Sequence, residues 1–486
     1  MLSGIPLVLK KDFFSLLLLF VLGTIPLLFG GRHPLIHGGY SFVLLVACGS
    51  WLILNSEQAW TALRGKKSIL AVGFLSYLFA TSFSLPPVLI GILSPVRAEY
   101  LRKAAQTLQA DPVTAVSYYA PDTRFLAMYL AALLFYFICA STMLRKDAFL
   151  TAALWVITSV GIFEAAYGLL QAMNPSLGVL WLPSIVGAEG CARGTIIYRN
   201  QYAALLNMCW PIALVLGLRL YRQEKGKATD RKKKKIGMAA LAQHISLGFR
   251  KATLPLLGSA FMILAVIFSR SRGGIVVLML IAAIILTLLP LPKRIKGLSS
   301  GIILLFTLVY GGMIGFHKVI DRFLVFYESA LSRAELWLES LSMLKDHLVT
   351  GIGLGAYQYV SPVYLHTIPS TAWYDYAHNE YVELAIELGV PVMLLLLAWI
   401  IWGIGASGVR VIRAARQARA LNNIPDKHFV AISSYCALLG FLLHGFVDFI
   451  WRLPVNSFYA VTLLALLSTA TAPDLADGQT EYDRIF

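Results

Sequence analysis

The chain has 486 residues, of which 58% are hydrophobic and only 14% charged, at a mean hydropathy of +0.72. That balance excludes a soluble globular protein, and continuous rather than alternating apolar runs argue against an outer-membrane β-barrel. The formal charge of +16 does not call for nucleic acid, because basic residues gather in the cytoplasmic loops of membrane proteins and account for the excess.

Apolar runs of about 17 residues or more recur along the whole length, each a membrane-spanning candidate. They predict an all-α polytopic membrane protein with about twelve transmembrane helices, at 13–29, 40–55, 69–93, 123–143, 149–171, 200–219, 253–269, 274–291, 298–316, 380–403, 430–450 and 455–472. Lys10 and Lys11 precede the first run and no small-residue cleavage site follows, which reads as an uncleaved span rather than a signal peptide. Of the five cysteines, four lie in apolar runs and none forms a CxxC pair, so neither a disulfide framework nor a cysteine metal site is expected. Residues 1–184 read as N-terminal helices, 185–472 as the core, and 473–486 as a short cytoplasmic tail.

Lys and Arg set the expected orientation. With the N-terminus inside, the inner loops hold Arg64, Lys66 and Lys67, then Arg145 and Lys146, then the run 219–251 with RKKKK at 231–235. Lys293, Arg294 and Lys296 follow, and finally Arg410, Arg413, Arg416 and Arg419. Both termini are then cytoplasmic. The RKKKK run reads as this topological signal or as contact with anionic membrane lipid. The outer loops include 94–122, 172–199 and a large periplasmic loop at 317–379.

Arg193, Arg199, Arg270, Arg272, Arg333 and Arg452 fall at outer helix ends or outer loops, where the topology rule disfavours them. One reading is snorkelling to headgroups. The other is a phosphate clamp, since the planar guanidinium gives bidentate charge-assisted hydrogen bonds. The segment SRSRGG at 269–274 favours the second, with two Arg at a helix end and a glycine pair for close backbone approach.

The stretch from Arg333 to Gly389 is the chain's main candidate for chemistry. In AHNEYVELAIELG, Asn379 is a plausible N-cap, and Glu380 and Glu383 suit a helix N-terminus. His378 takes a proton near neutral pH and is a general-base candidate. Glu387, two turns into the helix, needs a partner and is expected to find one among the arginines. His444 and Asp448 are four apart, with Arg452 one turn on, so one helical face would carry all three, either as substrate contacts or as a packing device. The many Tyr and Trp of 357–376 read as an interfacial belt, with sugar stacking as the lesser alternative. No metal-ligand spacing is found.

These segments resemble a known family. RAELWLESLSMLKDHLVTGIGLGAY followed by AHNEYVELAIELG is similar to the core of the bacterial O-antigen ligase and O-antigen polymerase superfamily. GFLLHGFVDFIWRLPVN at 440–456, CARGTIIYRNQYAALL at 191–206 and FSRSRGGIVVL at 268–278 resemble its other segments, in the right order, over roughly 185–470. The resemblance implies a C-type glycosyltransferase-like membrane fold at the periplasmic face. It implies transfer of a glycan from an undecaprenyl-pyrophosphate donor to lipid A-core, a growing glycan or another hydroxyl acceptor, with no metal, cofactor or nucleotide. Carried over, Arg272 and Arg333 bind pyrophosphate and His378 activates the acceptor hydroxyl, with Arg193 and Arg199 as secondary anion contacts. Arg199 departs from the usual small residue or proline, and Arg270 leaves open which of the pair faces the carrier. A small-anion transporter of bicarbonate type is the rival reading, disfavoured by the absence of internal symmetry between halves. A membrane scaffold in a polysaccharide assembly is the third, and it would tolerate loss of His378.

Overall fold

The computed structural model describes residues 5–57, 66–109, 114–180, 190–233, 238–289, 326–366, 373–420 and 425–472, with isolated positions between 294 and 309. Helices are the regular elements of the described residues, joined by turns and loops. In chain order the helices are α1 (Ile5–Thr24), α2 (Pro34–Leu54), α3 (Lys66–Ser82), α4 (Pro87–Leu93), α5 (Pro95–Leu108), α6 (Ala120–Met143), α7 (Asp147–Met173) and α8 (Arg199–Lys233). They continue with α9 (Met238–Phe268), α10 (Arg272–Leu288), α11 (Phe326–Asp346), α12 (Tyr357–Val360), α13 (Glu380–Leu388), α14 (Val390–Ala420), α15 (Asp426–His444) and α16 (Pro454–Ala470).

Seven of these are long and apolar enough to cross a membrane among the described residues, or eight if the bent pair α3–α4 counts as one. Three shorter apolar helices, Phe13–Thr24, Arg272–Leu288 and Pro454–Ala470, cover further expected spans. The expected span 298–316 lies outside the described residues apart from isolated positions, as do Lys234 and Lys235 of the RKKKK segment and the whole tail.

Three expectations change. The run 69–93 is not one straight helix: α3 and α4 meet at 119° across the break that Pro86 and Pro87 enforce. The run 380–403 is broken at Gly389, which has φ 79° and separates α13 from α14. The run 430–450 stops at His444, so Asp448 and Arg452 lie in a turn between α15 and α16 rather than on a helical face. The expected loop 317–379 is also not featureless, since it carries α11 and α12.

Helix α8 is the core of the bundle. Tyr202, Leu205, Leu206, Trp210, Ile212 and Leu216 on it are buried, and it packs against α7, α9 and α15. By contrast α14 exposes Leu394, Leu395, Ile401 and Trp402, as a helix facing lipid does. Arg219 on α8 pairs with Asp147 and, at 3.2 Å, with Asp426, tying together the ends of α7, α8 and α15. Arg199 lies twenty residues earlier, about 30 Å away along the helix axis. The chemistry-bearing residues therefore gather at the end of the bundle opposite Arg219.

The GIGLG segment at 351–355 packs backbone on backbone. Ile352 N donates to Ile386 O at 3.0 Å, Gly353 N to Glu387 O at 3.0 Å, and Val390 N to Leu348 O at 2.8 Å. A Cβ on Gly351 would stand 2.3 Å from Glu387 O, and one on Gly389 2.3 Å from Val349 O. This seam fixes α13 against the segment that follows α11, and so places His378 relative to Arg333.

Candidate active site

The site is assembled by four chain segments. Ser271 caps α10, its hydroxyl accepting from Gly274 N at 3.1 Å, so Arg272 opens the helix at its positive end. A Cβ on Gly273 would lie 2.6 Å from Val447 and 3.3 Å from the His444 ring, so only glycine lets α10 approach the α15–α16 turn this closely. On α11, Arg333 and Trp337 are one turn apart on one face. Arg333 donates to Val447 O at 2.7 Å, and the Trp337 indole donates to Ala377 O at 2.8 Å. One helix face thus grips both the turn that bears Asp448 and the residue before His378.

Ala377 is held from both sides, because its N–H donates to Glu383 Oε2 at 2.8 Å. Asn379 caps α13 with bonds from Tyr381 N and Val382 N, at 3.0 and 3.2 Å. Between these anchors His378 adopts φ 53°, a left-handed conformation that costs a non-glycine residue about 1 kcal/mol or more. The strain aims its ring. His378 Nδ1 lies 3.1 Å from Asp448 Oδ1, which leaves Nε2 as the outward nitrogen.

Asp448 is 2% exposed by its side chain and multiply bound. Its Oδ1 also accepts from Phe449 N at 2.9 Å, Asn200 donates to Oδ2, and Arg333 Nη2 stands 3.7 Å from Oδ2. Burial by itself raises its pKa, but the His378 bond and the charges of His378 and Arg333 outweigh burial and hold it below the usual carboxylate range. It is an ionised, orienting partner for the imidazole.

Asp448 also lines a cleft of about 330 Å³ with Arg199, Asn200, Arg270, Arg272, Gly273, Arg333, His444 and Val447. Four arginines and one aspartate line it. His444 is buried, and neither ring nitrogen has a hydrogen-bond partner. Arg270, itself at φ 54°, donates to Gly190 O at 2.7 Å while lining the cleft, so both Arg of the SRSRGG segment face it.

Other expected site residues are placed elsewhere. Arg193 is buried outside the cleft lining and donates to Ile197 O at 3.0 Å, bracing the loop ahead of α8. Arg452 and Glu387 lie outside it too. Arg452 pairs with Glu387, with Glu383 at 2.9 Å and with Glu380 at 3.9 Å, all buried. Glu387 Oε1 in addition accepts from Tyr357 N at 3.3 Å. The partner anticipated for Glu387 among the arginines is thus Arg452, while the shared face of Arg452 with His444 and Asp448 dissolves because no helix joins them. Asn200 was not singled out from sequence; its only signal is its place beside Arg199 at a helix start. Among the described residues no group of three or more His, Cys, Asp or Glu is arranged to hold a metal ion.

Residues 257–397 match the family model for O-antigen ligase, which supports placing the chain in the O-antigen ligase superfamily. The match spans α10, α11 and α13, and so Arg270, Arg272, Arg333 and His378, but not Asn200 or Asp448. A search of curated proteins finds no match to the chain.

Proposed function

We propose that this chain transfers a glycan from an undecaprenyl-pyrophosphate carrier to an acceptor hydroxyl at the periplasmic face of the inner membrane. The family match supports the broader class, a membrane glycosyltransferase of O-antigen ligase or polymerase type. The observation that carries the finer reading is the His378–Asp448 pair set against the arginine cleft.

In this reading His378 donates its Nδ1 proton to Asp448 in a hydrogen bond, so Nε2 carries the lone pair. Nε2 takes the proton of the acceptor hydroxyl as that oxygen bonds to the anomeric carbon of the donor glycan. The bond from that carbon to the phosphate oxygen breaks, and the electron pair leaves with the carrier pyrophosphate. Arg199, Arg270, Arg272 and Arg333 neutralise the charge that develops there, as fixed donors aimed at developing charge do. His444 lines the same cleft as a buried neighbour of the arginines. Since the guanidiniums supply the positive charge, turnover is expected without added metal.

Purified protein in detergent is given a carrier-linked glycan, with and without lipid A-core. A product on lipid A-core identifies a ligase, and a ladder of longer carrier-linked chains identifies a polymerase. Undiminished transfer by His378→Ala removes the catalytic reading. Absence of any transfer, together with anion flux in liposomes, replaces the enzyme by a transporter.

A further inference from the structure

Nothing in the sequence gives residues 1–184 a part in the site, yet the turn between α1 and α2 reaches it. Thr195 Oγ1 donates to Pro26 O at 2.7 Å, and Gly30 and Gly31 lie against Leu453, Pro454 and Val455. That docking holds Arg32 beside the two segments that frame His378. The Arg32 guanidinium sits 4.2 Å over the Tyr198 ring, and its Nη2 is 3.9 Å from Asp375 Oδ2.

These groups join the base through one aromatic ring. Phe449 stacks on Tyr376 at 4.3 Å and is met edge-on by His378 at 4.9 Å and by Tyr198 at 5.6 Å. Tyr374 meets the His378 ring edge-on at 6.4 Å. Arg32, Tyr198, Tyr374 and Asp375 all lie outside the arginine-cleft lining.

Stability does not explain the arrangement. The Arg32 and Asp375 side chains are 33% and 40% exposed, and Tyr198 is exposed as well. A pair so open and so loose is worth about 0–1 kcal/mol at best. A separation of 3.9 Å leaves N–H donors on one side and carboxylate oxygens on the other still able to bind a ligand. A guanidinium and a carboxylate side by side, next to an exposed aromatic ring, suit a hydroxyl-rich pyranose. Arg32 covers one face of the Tyr198 ring, so the opposite face is the one that takes the sugar's C–H face, and the charged pair at the ring's margin takes its hydroxyls.

We infer that Arg32, Tyr198 and Asp375 form an acceptor subsite. It would bind the sugar ring next to the one whose hydroxyl faces His378. The inference rests on the transferase reading for the word acceptor. His378 and Tyr198 touch the same Phe449 ring, so a glycan with a hydroxyl at the base brings its neighbouring ring to the Arg32–Asp375 pair. The donor's pyrophosphate takes the arginine cleft instead, which keeps the two substrates on separate groups.

The test separates binding from transfer. In kinetics, Tyr198→Ala and Arg32→Ala are expected to raise the KM for acceptor about tenfold, the loss of roughly one good stacking or charged contact. The donor KM and kcat should change little, and Tyr198→Phe should keep the wild-type KM. In binding, full-length His378→Ala protein is titrated with delipidated core oligosaccharide and, separately, with the free repeat-unit glycan, by saturation-transfer NMR. At least one should bind, and adding Tyr198→Ala should weaken it about tenfold. Transfer with unmoved acceptor KM overturns the subsite and leaves the transferase standing. Oligosaccharide binding that Tyr198→Ala weakens, in a protein that transfers nothing, keeps the sugar site and removes the transferase. Binding indifferent to Tyr198 and Arg32, or no binding of either glycan, overturns the subsite.

Discussion

Asp448 and Arg452 stand four residues apart in one turn, and each is the centre of an ionic site. Their make-up is opposite. Around Asp448, cations exceed anions: one carboxylate faces Arg199, Arg270, Arg272 and Arg333 across an open cleft. Around Arg452, anions exceed cations: one guanidinium is closed in by Glu380, Glu383 and Glu387, all buried. A surplus of positive charge facing a cleft is completed by an anionic ligand. A surplus of negative charge sealed from water is instead balanced internally, by protons. Burial pushes Glu380 up to about 7, and lifts Glu383 well above the ordinary carboxylate range, against the pull of Arg452.

The second site holds the first in register. Glu383 binds Ala377 N, the residue before His378, and Glu380 accepts from Trp451 N at 2.6 Å, three residues after Asp448. Arg452 draws the two carboxylates together, so His378 and Asp448 are positioned by the same cluster.

Substitutions should divide along this line. The largest effect on transfer is expected for His378→Ala, a loss of about 10²–10⁴-fold at unchanged protein abundance, read by product formation and by western blot of membranes. Arg452→Ala should act through folding. Stranding three buried carboxylates costs about 3–5 kcal/mol, so folded protein recovered from detergent size-exclusion should drop sharply. If Arg452→Ala instead gives abundant, well-folded and inactive protein, the division between the two sites fails. Arg272→Ala should lower kcat about 10²-fold with little change in thermal midpoint. Arg333→Lys should recover only part of the activity, because an ammonium cannot reproduce both the Val447 and Asp448 contacts.

The smallest expected effect is on pH dependence. Glu380 has a folded pKa raised above its unfolded value, so the stability tied to its proton is complete below about 4.5 and is lost as pH rises through about 7. The thermal midpoint should therefore fall between pH 5 and 8, and Glu380→Gln should flatten that slope. A midpoint that stays flat over this window would show the cluster to be fully ionised.

Much of this was legible in the chain, and the reasons are local. Hydropathy marks the apolar helices because a bilayer demands long apolar runs. The cap at Asn379 and the glycine pair after Arg272 are properties of a few adjacent residues. Arg199, Arg270, Arg272 and Arg333 stand out because the orientation expected from the Lys and Arg distribution puts them at outer helix ends, against the topology rule. The helical-face reading of His444, Asp448 and Arg452 did not hold, because periodicity assumes a helix continues and this one ends at His444.

What the sequence by itself determined is the class of molecule and the cast of residues: a polytopic helical membrane protein, a set of arginines at helix ends and in loops, and one histidine before a capped helix. Tertiary structure alone decided who meets whom. Asp448 lies 70 residues from His378, and Asn200 lies 248 from Asp448. Arg452 is sent to the buried glutamates rather than to the cleft, and Arg32 meets Tyr198 and Asp375 from a distant turn. Such pairings come from the packing of distant helices and turns, and no spacing along one segment encodes them.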